Sequence, residues 1–478
     1  MPRSTALLVV SLFAASAALS QEYRATLTGR VLDAQGAVMP SVAVTAVNQS
    51  TGAKSETVSG PDGVYTIPFL PPGQYTVTAQ AQGFKQYRRE NLQLSTGERV
   101  GVDIPLELGT TTEAVTVTAE APLLSTETAT VGQVIGTHEV ENLPMNGRTP
   151  LVLAQLAMGV TPNSDPKFSR PFDNSGPSDF SMGGAPSRTN ELLTDGVPNT
   201  TRDSRVAYNP PVDSVQEVRV HSFEADAAYG HTGGGTVNVV LRGGTNRLHG
   251  TAYEFNQTSA LAATPFFTNK AGLTPPVTRY NQYGVNAGAP IWIPKIFNGK
   301  DKAFWYFAWE GIKDSFPEPI TTTVPTEAMR NGNFSALLNV PGGEKCVAQT
   351  GFNCYQLFNP FTGVQKGSRV QREPFVGNII PQNLLSPIAK SALQFYPLPN
   401  QPGEPDSANN YLANTVRTDN YNNELGRLDF NLSEKHKFFW NFHHNDRIEN
   451  RSNHFFNIAT GNFLSRVNWG SVLDDVYT

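Results

Sequence analysis

Two alternating runs near the C-terminal end constrain the fold of this chain most strongly. Apolar residues alternate with polar or charged ones over residues 427–432, and residues 438–443 repeat the pattern with aromatic residues in the apolar positions. A period of two places successive side chains on opposite faces and is typical of β-strands. The residues between the two runs, 433–437, predict a turn. We therefore expect an antiparallel hairpin with one apolar face.

The aromatic residues of this hairpin favour a position in a membrane wall. A water-soluble sandwich would also bury one apolar face, but its other face would not be framed by so many aromatic residues. Residues 303–310 carry aromatic side chains on both faces, as in the aromatic girdle of a transmembrane β-barrel, and Tyr253 and Phe255 share one face of another strand. We place the turn at 433–437 on the periplasmic side, where barrel turns are short.

The N-terminus has the pattern of an export signal. Arg3 precedes an apolar segment over residues 6–19, and small residues at Ala18 and Ser20 predict cleavage before Gln21. A buried core helix is the alternative, but polar, strand-like sequence follows at once. Beyond this segment no apolar run approaches the ~20 residues that a spanning helix needs. This excludes a helical membrane protein and leaves a membrane β-barrel open.

Export changes the expectation for the two cysteines. Cys346 and Cys354 lie in a stretch rich in Gly, Asn and Pro. Thiols oxidise outside the inner membrane, so we predict a local disulfide, with two unpaired thiols as the alternative. The two cysteines lack zinc-type spacing, and adjacent His443 and His444 point to opposite faces of a strand, so we expect no metal site.

Charge and motif content argue against two classes of function. A net charge of −5 offers no basic face for a phosphate backbone, so we expect no nucleic-acid binding. The chain has no nucleophile elbow, no His-Glu-x-x-His, no phosphate-loop lysine motif and no EF-hand loop. The glycine run at 233–235 leads into a strand rather than into a helix, so it is not a phosphate loop. We expect no catalytic residues and no cofactor.

Short alternating segments separated by turn residues begin at Tyr23 and predict an all-β sandwich. The order of its glycine, proline and tyrosine positions resembles the carboxypeptidase regulatory-like domain, which is a transthyretin-type sandwich. These positions are Gly29, Val31, Asp33, Gly36, Pro40, GVY at 63–65, LPPGQY at 70–75 and GF at 83–84. The resemblance implies a module without catalytic residues.

A polar run at 109–112 then reads as a linker, and an alternating β-branched strip follows it. A strip of this kind has high strand propensity and can add itself as an edge strand to a partner sheet. The alternative is one more strand of the sandwich. The strip consists of Glu113, Ala114, Val115, Thr116, Val117, Thr118 and Ala119.

Seven short motifs follow one another between residue 143 and residue 246. They are LPMNGR at 143–148, MGG at 182–184, NELLTDGVP at 190–198, VQEVRV at 215–220, AYG at 228–230, GGGTVNVV at 233–240 and GGTN at 243–246. In this order they resemble the plug domain of TonB-dependent outer-membrane receptors, and the similarity is closest to the Oar-like branch, which carries the same kind of sandwich in front. By this resemblance, the strip from Glu113 to Ala119 lies where the family has its TonB box.

The resemblance implies an outer-membrane receptor for TonB-dependent active import, with a plug that gates the barrel. The expected partners are TonB with its inner-membrane energising proteins, outer-membrane lipid, and an unidentified ligand for which relatives suggest an oligosaccharide or a peptide. The expected location is the outer membrane of a Gram-negative-type bacterium, with the sandwich in the periplasm. The alternative is a non-transporting outer-membrane protein for surface binding or adhesion, in which a plug has no role.

The sequence therefore predicts an all-β-dominated chain in five parts. They are a signal peptide (1–20), the regulatory-like β-sandwich (21–108), a linker with the candidate TonB box (109–120), a mixed α/β plug domain (121–247) and the first strands of a transmembrane β-barrel (248–478). The irregular stretch 311–424 is expected to form long extracellular loops. Receptors of this kind use ~22 strands of ~10 residues. The chain offers far fewer, so we expect it to be the N-terminal part of a receptor with a truncated barrel.

Overall fold

A computed structural model gives the structure of residues 22–109, 114–118, 131–164, 169–173, 176–223, 233–261, 263–264, 266, 269 and 277–478. The predicted signal peptide (1–20), together with Glu113 and Ala119 of the candidate TonB box, lies outside these described residues. No helix in the described ranges is long and apolar enough to cross a membrane.

The N-terminal unit is a sandwich of two β-sheets. Its strands are β1 (Ala25–Asp33), β2 (Ala43–Asn48), β3 (Lys54–Val58), β4 (Val64–Leu70), β5 (Gly73–Gln80), β6 (Gln86–Leu94), β7 (Arg99–Gly101), β8 (Ile104–Leu106) and β9 (Ala114–Thr118). The first sheet has the order β4-β1-β7, with β8 also paired to β1, and the second has the order β3-β2-β5-β6-β9.

Alternating burial along the strands builds the core of the sandwich. In β2, Val44 and Ala46 are buried between less buried neighbours, as a half-buried strand requires. Gly29 lies so close to the neighbouring backbone that a Cβ there would come within 1.9 Å of the Val102 carbonyl oxygen, so the close packing of β1 requires glycine. The hydroxyl of buried Tyr65 donates a hydrogen bond of 2.7 Å to the same carbonyl.

The second unit, here called the central domain, comprises the described residues from 131 to 247. Its strands are β10 (Val131–Ile135), β11 (Val160–Pro162), β12 (Phe180–Met182), β13 (Glu191–Thr194), β14 (Val197–Pro198), β15 (Val215–Phe223) and β16 (Thr236–Leu241). Helix α1 (Thr137–Asn142) and two 3-10 helices (Pro150–Leu156 and Val212–Ser214) accompany them. The central sheet has the order β10-β15-β16-β13-β14, and β11 pairs separately with β12.

Close packing explains the glycine run that precedes β16. A Cβ at Gly235 would lie 2.3 Å from the carbonyl oxygen of His221 on the adjacent strand β15. Gly235 therefore serves the close approach of two backbones.

The third unit is dominated by one sheet of long strands, here called the long sheet. The strands of this unit are β17 (His249–Thr258), β18 (Arg279–Pro290), β19 (Trp292–Ile293), β20 (Phe297–Asn298), β21 (Ala303–Thr322), β22 (Val364–Lys366), β23 (Arg369–Gln371), β24 (Tyr411–Asn431), β25 (His436–Arg451) and β26 (Asn462–Tyr477). The long sheet has the order β17-β18-β21-β24-β25-β26, and β19–β20 and β22–β23 form two small hairpins.

All neighbouring strands of the long sheet are antiparallel, so its connections fall at two ends. One end carries the connections 291–302 and 432–435, and the other carries 259–278, 323–410 and 452–461. The outward face is apolar and exposed, with Trp440, Trp469 and Leu473 among its residues. The opposite face is polar and covered by the central domain.

The connection 323–410 has secondary structure of its own. It contains helices α2 (Glu327–Arg330), α3 (Val347–Thr350) and α4 (Pro387–Leu393), and 3-10 helices at Ser335–Asn339, Gly343–Cys346, Pro360–Thr362, Val376–Asn378 and Gln382–Leu384. A further 3-10 helix, Ser259–Leu261, follows β17. Within this connection Cys346 and Cys354 form a disulfide, with their Cα atoms 5.1 Å apart.

Two boundaries differ from the sequence-based expectation. The turn of the predicted hairpin spans 432–435 rather than 433–437, because β24 ends at Asn431 and β25 begins at His436. The stretch 311–424 is not irregular throughout. β21 and β24 pair from Ala303–Phe430 to Thr322–Tyr411, so both strands continue well into it. Polar residues on both faces and two prolines in β21 weaken the alternation that would have revealed these strand ends.

Candidate functional site

The central domain lies against the polar face of the long sheet and shares a hydrophobic core with it. Tyr306, Ala308 and Leu425 of the long sheet belong to the same buried cluster as the valines of β15 and β16. Around this cluster, side chains of the long sheet recognise backbone carbonyls of the central domain. Tyr306 Oη donates to Asp213 O (3.0 Å), Asn423 Nδ2 to Asn209 O (2.9 Å) and Asn468 Nδ2 to Ala207 O (3.0 Å).

Asp195 makes the most deeply buried charged contact between the two units. Its carboxylate accepts hydrogen bonds from Arg427 Nη1 (3.2 Å), Asn441 Nδ2 (2.9 Å) and the backbone N–H of Leu241 (2.9 Å). The Asp195 side chain is 0% exposed and that of Arg427 only 9%. Burial raises the pKa of Asp195 to about 6, although Arg427 and the Leu241 N–H favour the charged form. Asp195 therefore fixes the central sheet to β24 and β25.

A second charged contact involves Arg148 of the sequence motif LPMNGR. Its guanidinium forms an ion pair of 2.6 Å with Asp213 and lies over the ring of Phe255 in β17, with 4.1 Å from Cζ to the ring centroid. Tyr253, also near this guanidinium, donates a hydrogen bond to Glu310 (3.0 Å). The interface between the central domain and the long sheet, here called the seat, therefore combines an apolar core with hydrogen bonds and charged side chains around it.

The sandwich is fastened to the central domain at Thr96, just after β6. The backbone N–H of Thr96 donates to the Glu217 carboxylate, and the backbone carbonyl of Thr96 accepts a hydrogen bond of 2.8 Å from Arg219 Nη1. All three residues are buried, and burial raises the pKa of Glu217. Gln216 adds a bond of 2.9 Å to the carbonyl of Pro72. We call these contacts of β15 the sandwich latch.

The sandwich also contacts the end of the long sheet that carries the connections 291–302 and 432–435. Arg24 pairs with Asp474 of β26 at 2.9 Å, and Lys437 Nζ of β25 lies 2.6 Å from Ser55 Oγ. Here the sandwich, the central domain and the long sheet enclose a cavity of about 330 Å³. The sandwich thus lies beneath the short-turn end of the long sheet.

The described part of the candidate TonB box, Ala114–Thr118, forms β9. It pairs in parallel with β6, with Ala114 opposite Gln86 and Thr118 opposite Glu90. β9 is the last strand of its sheet, and no strand within the described ranges pairs with its other edge. The strip therefore has strand structure, as its composition predicts, and in this structure its partner sheet is the sandwich itself.

The adjacent histidines His443 and His444 have different surroundings. His443 stacks on Tyr208 of the central domain at a centroid distance of 3.9 Å, and His444 lies near Trp469 at 3.8 Å. The described residues contain no group of three or more His, Cys, Asp or Glu that could hold a metal ion.

Sequence reasoning missed the two contacts that fasten the central domain. In the sequence, Asp195 stands out only as a member of the motif at 190–198, and Glu217 and Arg219 only as members of the motif at 215–220. Their partners Arg427 and Thr96 lie more than a hundred residues away along the chain, so local patterns carried no signal for these pairs.

Comparison with known proteins agrees with this architecture. Residues 26–107 match the carboxypeptidase regulatory-like domain, and residues 240–478 match the outer membrane beta barrel domain. The chain belongs to the outer membrane β-barrel family. The predicted fold class, the identity of the sandwich and the outer-membrane location are thereby confirmed.

The TonB-dependent transporter Oar from Myxococcus xanthus is 28% identical over 333 residues, which cover 66% of this chain and 29% of Oar. The chain thus spans less than a third of this relative, and the resemblance to the Oar-like branch is confirmed. Two solved structures align more loosely. The outer-membrane transporter YddB from Escherichia coli has a TM-score of 0.43 and 10% identity, covering 73% of this chain and 37% of YddB. The ferric enterobactin receptor from Pseudomonas aeruginosa has a TM-score of 0.33 and 12% identity, and the alignment covers 66% of this chain and 33% of the receptor. These relatives are transporters and receptors, not enzymes.

Proposed function

We propose that the protein is a TonB-dependent outer-membrane receptor for active import of a ligand, in which the central domain is the plug. The main support is that the central domain covers the polar face of the long sheet, while the apolar face of that sheet is exposed. A plug must be held firmly and still be able to rearrange. Hydrogen bonds and ion pairs suit both needs, because water can replace them one at a time when the seat opens.

We further propose that the strip from Glu113 to Ala119 is the TonB box. Along the chain the strip lies between β8 of the sandwich and the plug, and its residues Ala114–Thr118 already form an extended strand. A partner strand from TonB would pair with its backbone, which needs no specific side chains. The proton motive force of the inner membrane would then act on the plug through TonB. The short-turn end of the long sheet, where the sandwich lies, would face the periplasm.

The connection 323–410 is the proposed ligand-facing surface, because it is the longest connection at the opposite end of the long sheet. We propose an oligosaccharide or a peptide as ligand. Of three loop aromatics suited to stacking on sugar rings, Phe361 is largely exposed, whereas Phe358 packs edge-to-face on Phe352 and Tyr355 is half-buried. Phe361 is therefore the best placed of the three.

Deleting residues 113–119 tests import against adhesion. Cells producing the protein from its own gene would receive fluorescent oligosaccharide and peptide mixtures, and surface-bound and internalised label would be measured separately. We expect the deletion to reduce internalisation to the level of cells lacking TonB, with surface binding unchanged. The control replaces the exposed residues Ala34 and Gln35 in the turn after β1 by Gly and Ser, which keeps both the box and the connection 323–410. Normal internalisation without the box would refute TonB coupling through this strip, whereas surface binding without any TonB-dependent internalisation in the intact protein would leave surface binding or adhesion as the function.

A further inference from the structure

The strand β9 and the sandwich latch are joined by a single strand. β9 pairs with residues 86–90 of β6, and β6 ends at Leu94, two residues before Thr96. The backbone of Thr96 is held by Glu217 and Arg219 of β15. A single segment of chain, β6 and the two residues after it, thus connects the candidate TonB box to the interior of the central sheet.

The point of attachment on the central domain matters for the direction of force. β15 lies between β10 and β16, so it is an interior strand of the central sheet. The covalent route from the box enters the central domain at β10, which is the edge strand of the same sheet. A pull through the sandwich would therefore load an interior strand at Gln216, Glu217 and Arg219, whereas a pull through the chain alone would load the edge.

The outer edge of β9, with which no strand in the described ranges pairs, provides a place for the partner, while the sandwich holds the other edge. A strand has two hydrogen-bonding edges, and β6 occupies one edge of β9. The sandwich holds the segment extended, which removes ordering entropy that a free segment would lose on binding. An extended strand of the periplasmic TonB domain fits this edge by backbone pairing.

We propose that the sandwich transmits force from TonB to the plug: the partner strand adds to the outer edge of β9, and β9 is pulled while it remains on β6. The pull then passes along β6 to Thr96 and through the sandwich latch to β15. This inference rests on the proposed function, because it takes TonB as the source of force. It assigns a mechanical role to a module that carries no catalytic residues.

A covalent lock tests whether the strip stays on the sandwich. Arg88 and Thr116 lie opposite each other in the register of β6 and β9, so R88C with T116C would join the two strands when oxidised. The control pair Q74C with Q93C lies opposite in β5 and β6 and joins two strands of the sandwich without touching β9. Both pairs would be introduced into the protein in its own outer membrane, together with V237C, a reporter at a fully buried position of the central sheet.

The readouts are binding of the purified periplasmic domain of TonB and the rate of maleimide labelling of V237C. In the reduced protein we expect labelling at least about fivefold faster in energised cells than in cells lacking TonB, because remodelling exposes the buried cysteine. Oxidising the lock should leave both readouts unchanged within about twofold, since the pull already passes through the sandwich.

Three results would count against the inference. A loss of TonB binding on oxidation, or of energised labelling, would show that β9 must leave β6. Failure of R88C and T116C to oxidise, when the control pair does, would show that β9 is not held there. Equal labelling with and without TonB in the reduced protein would refute the proposed function itself, so the two failures are distinguishable.

Opening the sandwich latch tests the second half of the path. E217A removes the acceptor for the Thr96 N–H, and E217Q keeps an amide oxygen at the same place. We expect E217A to lower energised labelling of V237C to about the rate in cells lacking TonB, a loss of at least about fivefold, with TonB binding unchanged, and E217Q to retain most of the energised labelling. Full energised labelling in E217A would overturn the proposal. A purely structural defect would instead raise labelling in cells lacking TonB as well, and this result would also overturn the assigned role.

Discussion

Replacing Asp195 by alanine should loosen the central domain from the long sheet, whereas replacing it by asparagine should not. Asp195 is the sole acceptor for the Nδ2 of Asn441 and for the Leu241 N–H among the contacts described above. Alanine leaves both buried donors without a partner, and each such donor costs roughly 1–2 kcal/mol. Arg427 retains Asp429 and the Leu241 carbonyl as acceptors, so it adds little to this cost.

Asparagine is the matched control because it keeps the shape and an acceptor oxygen. The Oδ1 of Asn441 has no hydrogen-bond partner in the described residues, so an amide turned at Asn441 can accept a hydrogen bond from the new amide. The pair D195A and D195N therefore separates lost hydrogen bonds from lost charge. We expect D195A to be about 2–4 kcal/mol less stable at this contact than D195N.

The pH dependence gives an independent check. The pKa of Asp195 lies at about 6 in the closed seat, against an ordinary value of 3.8 that it regains when the seat opens. The closed state therefore binds the proton more tightly, so its stability falls as the pH rises from about 4 to 6, by up to about 3 kcal/mol. D195N removes the titrating group, and its opening free energy should be flat over the same range.

Hydrogen exchange of the Leu241 amide measures this opening directly, because that amide donates to Asp195. After correction for the intrinsic exchange rate at each pH, D195A should exchange at least about 30-fold faster than D195N, which is the equivalent of 2 kcal/mol. Equal exchange in the two variants would refute the hydrogen-bond argument. An unchanged pH profile in D195N would refute the assignment of the titration to Asp195.

Three further predictions concern the sandwich, the outer connection and the lipid-facing surface. G29A places a methyl group 1.9 Å from the Val102 carbonyl oxygen, so thermal unfolding of the sandwich should occur at lower temperature, with a cost of about 1–3 kcal/mol. C346S with C354S removes a cross-link worth about 2–3 kcal/mol, and limited proteolysis of whole cells should then cut this connection faster while leaving the long sheet intact. V467R puts a charge on the outward face, where Val467 is 58% exposed, and should lower the yield of protein folded into the membrane, at a cost of up to about 2–4 kcal/mol. Wild-type yield would show that this face does not meet lipid.

Much of the fold can be predicted from the sequence, because alternation of apolar and polar residues with a period of two predicts a strand. The hairpin of β24 and β25 and the strands of the sandwich follow from alternation and turn residues alone. The distal halves of β21 and β24 do not follow in this way, because polar residues occupy both faces of these strand ends and β21 also carries two prolines. The composition of Ala114–Thr118 predicts a strand, but it does not distinguish between pairing with the sandwich and pairing with a partner protein.

The sequence by itself determined the strands of the sandwich and of the hairpin β24–β25, which module resembles which family, and the chain's outer-membrane destination. These properties depend on local periodicity and on motifs that are contiguous in the chain. Only the tertiary structure decided that Asp195 meets Arg427, that Thr96 is held by Glu217 and Arg219, and that β9 lies on β6. Such pairs form only when folding brings distant segments together. The sequence around a buried charge does not identify the residue that compensates that charge.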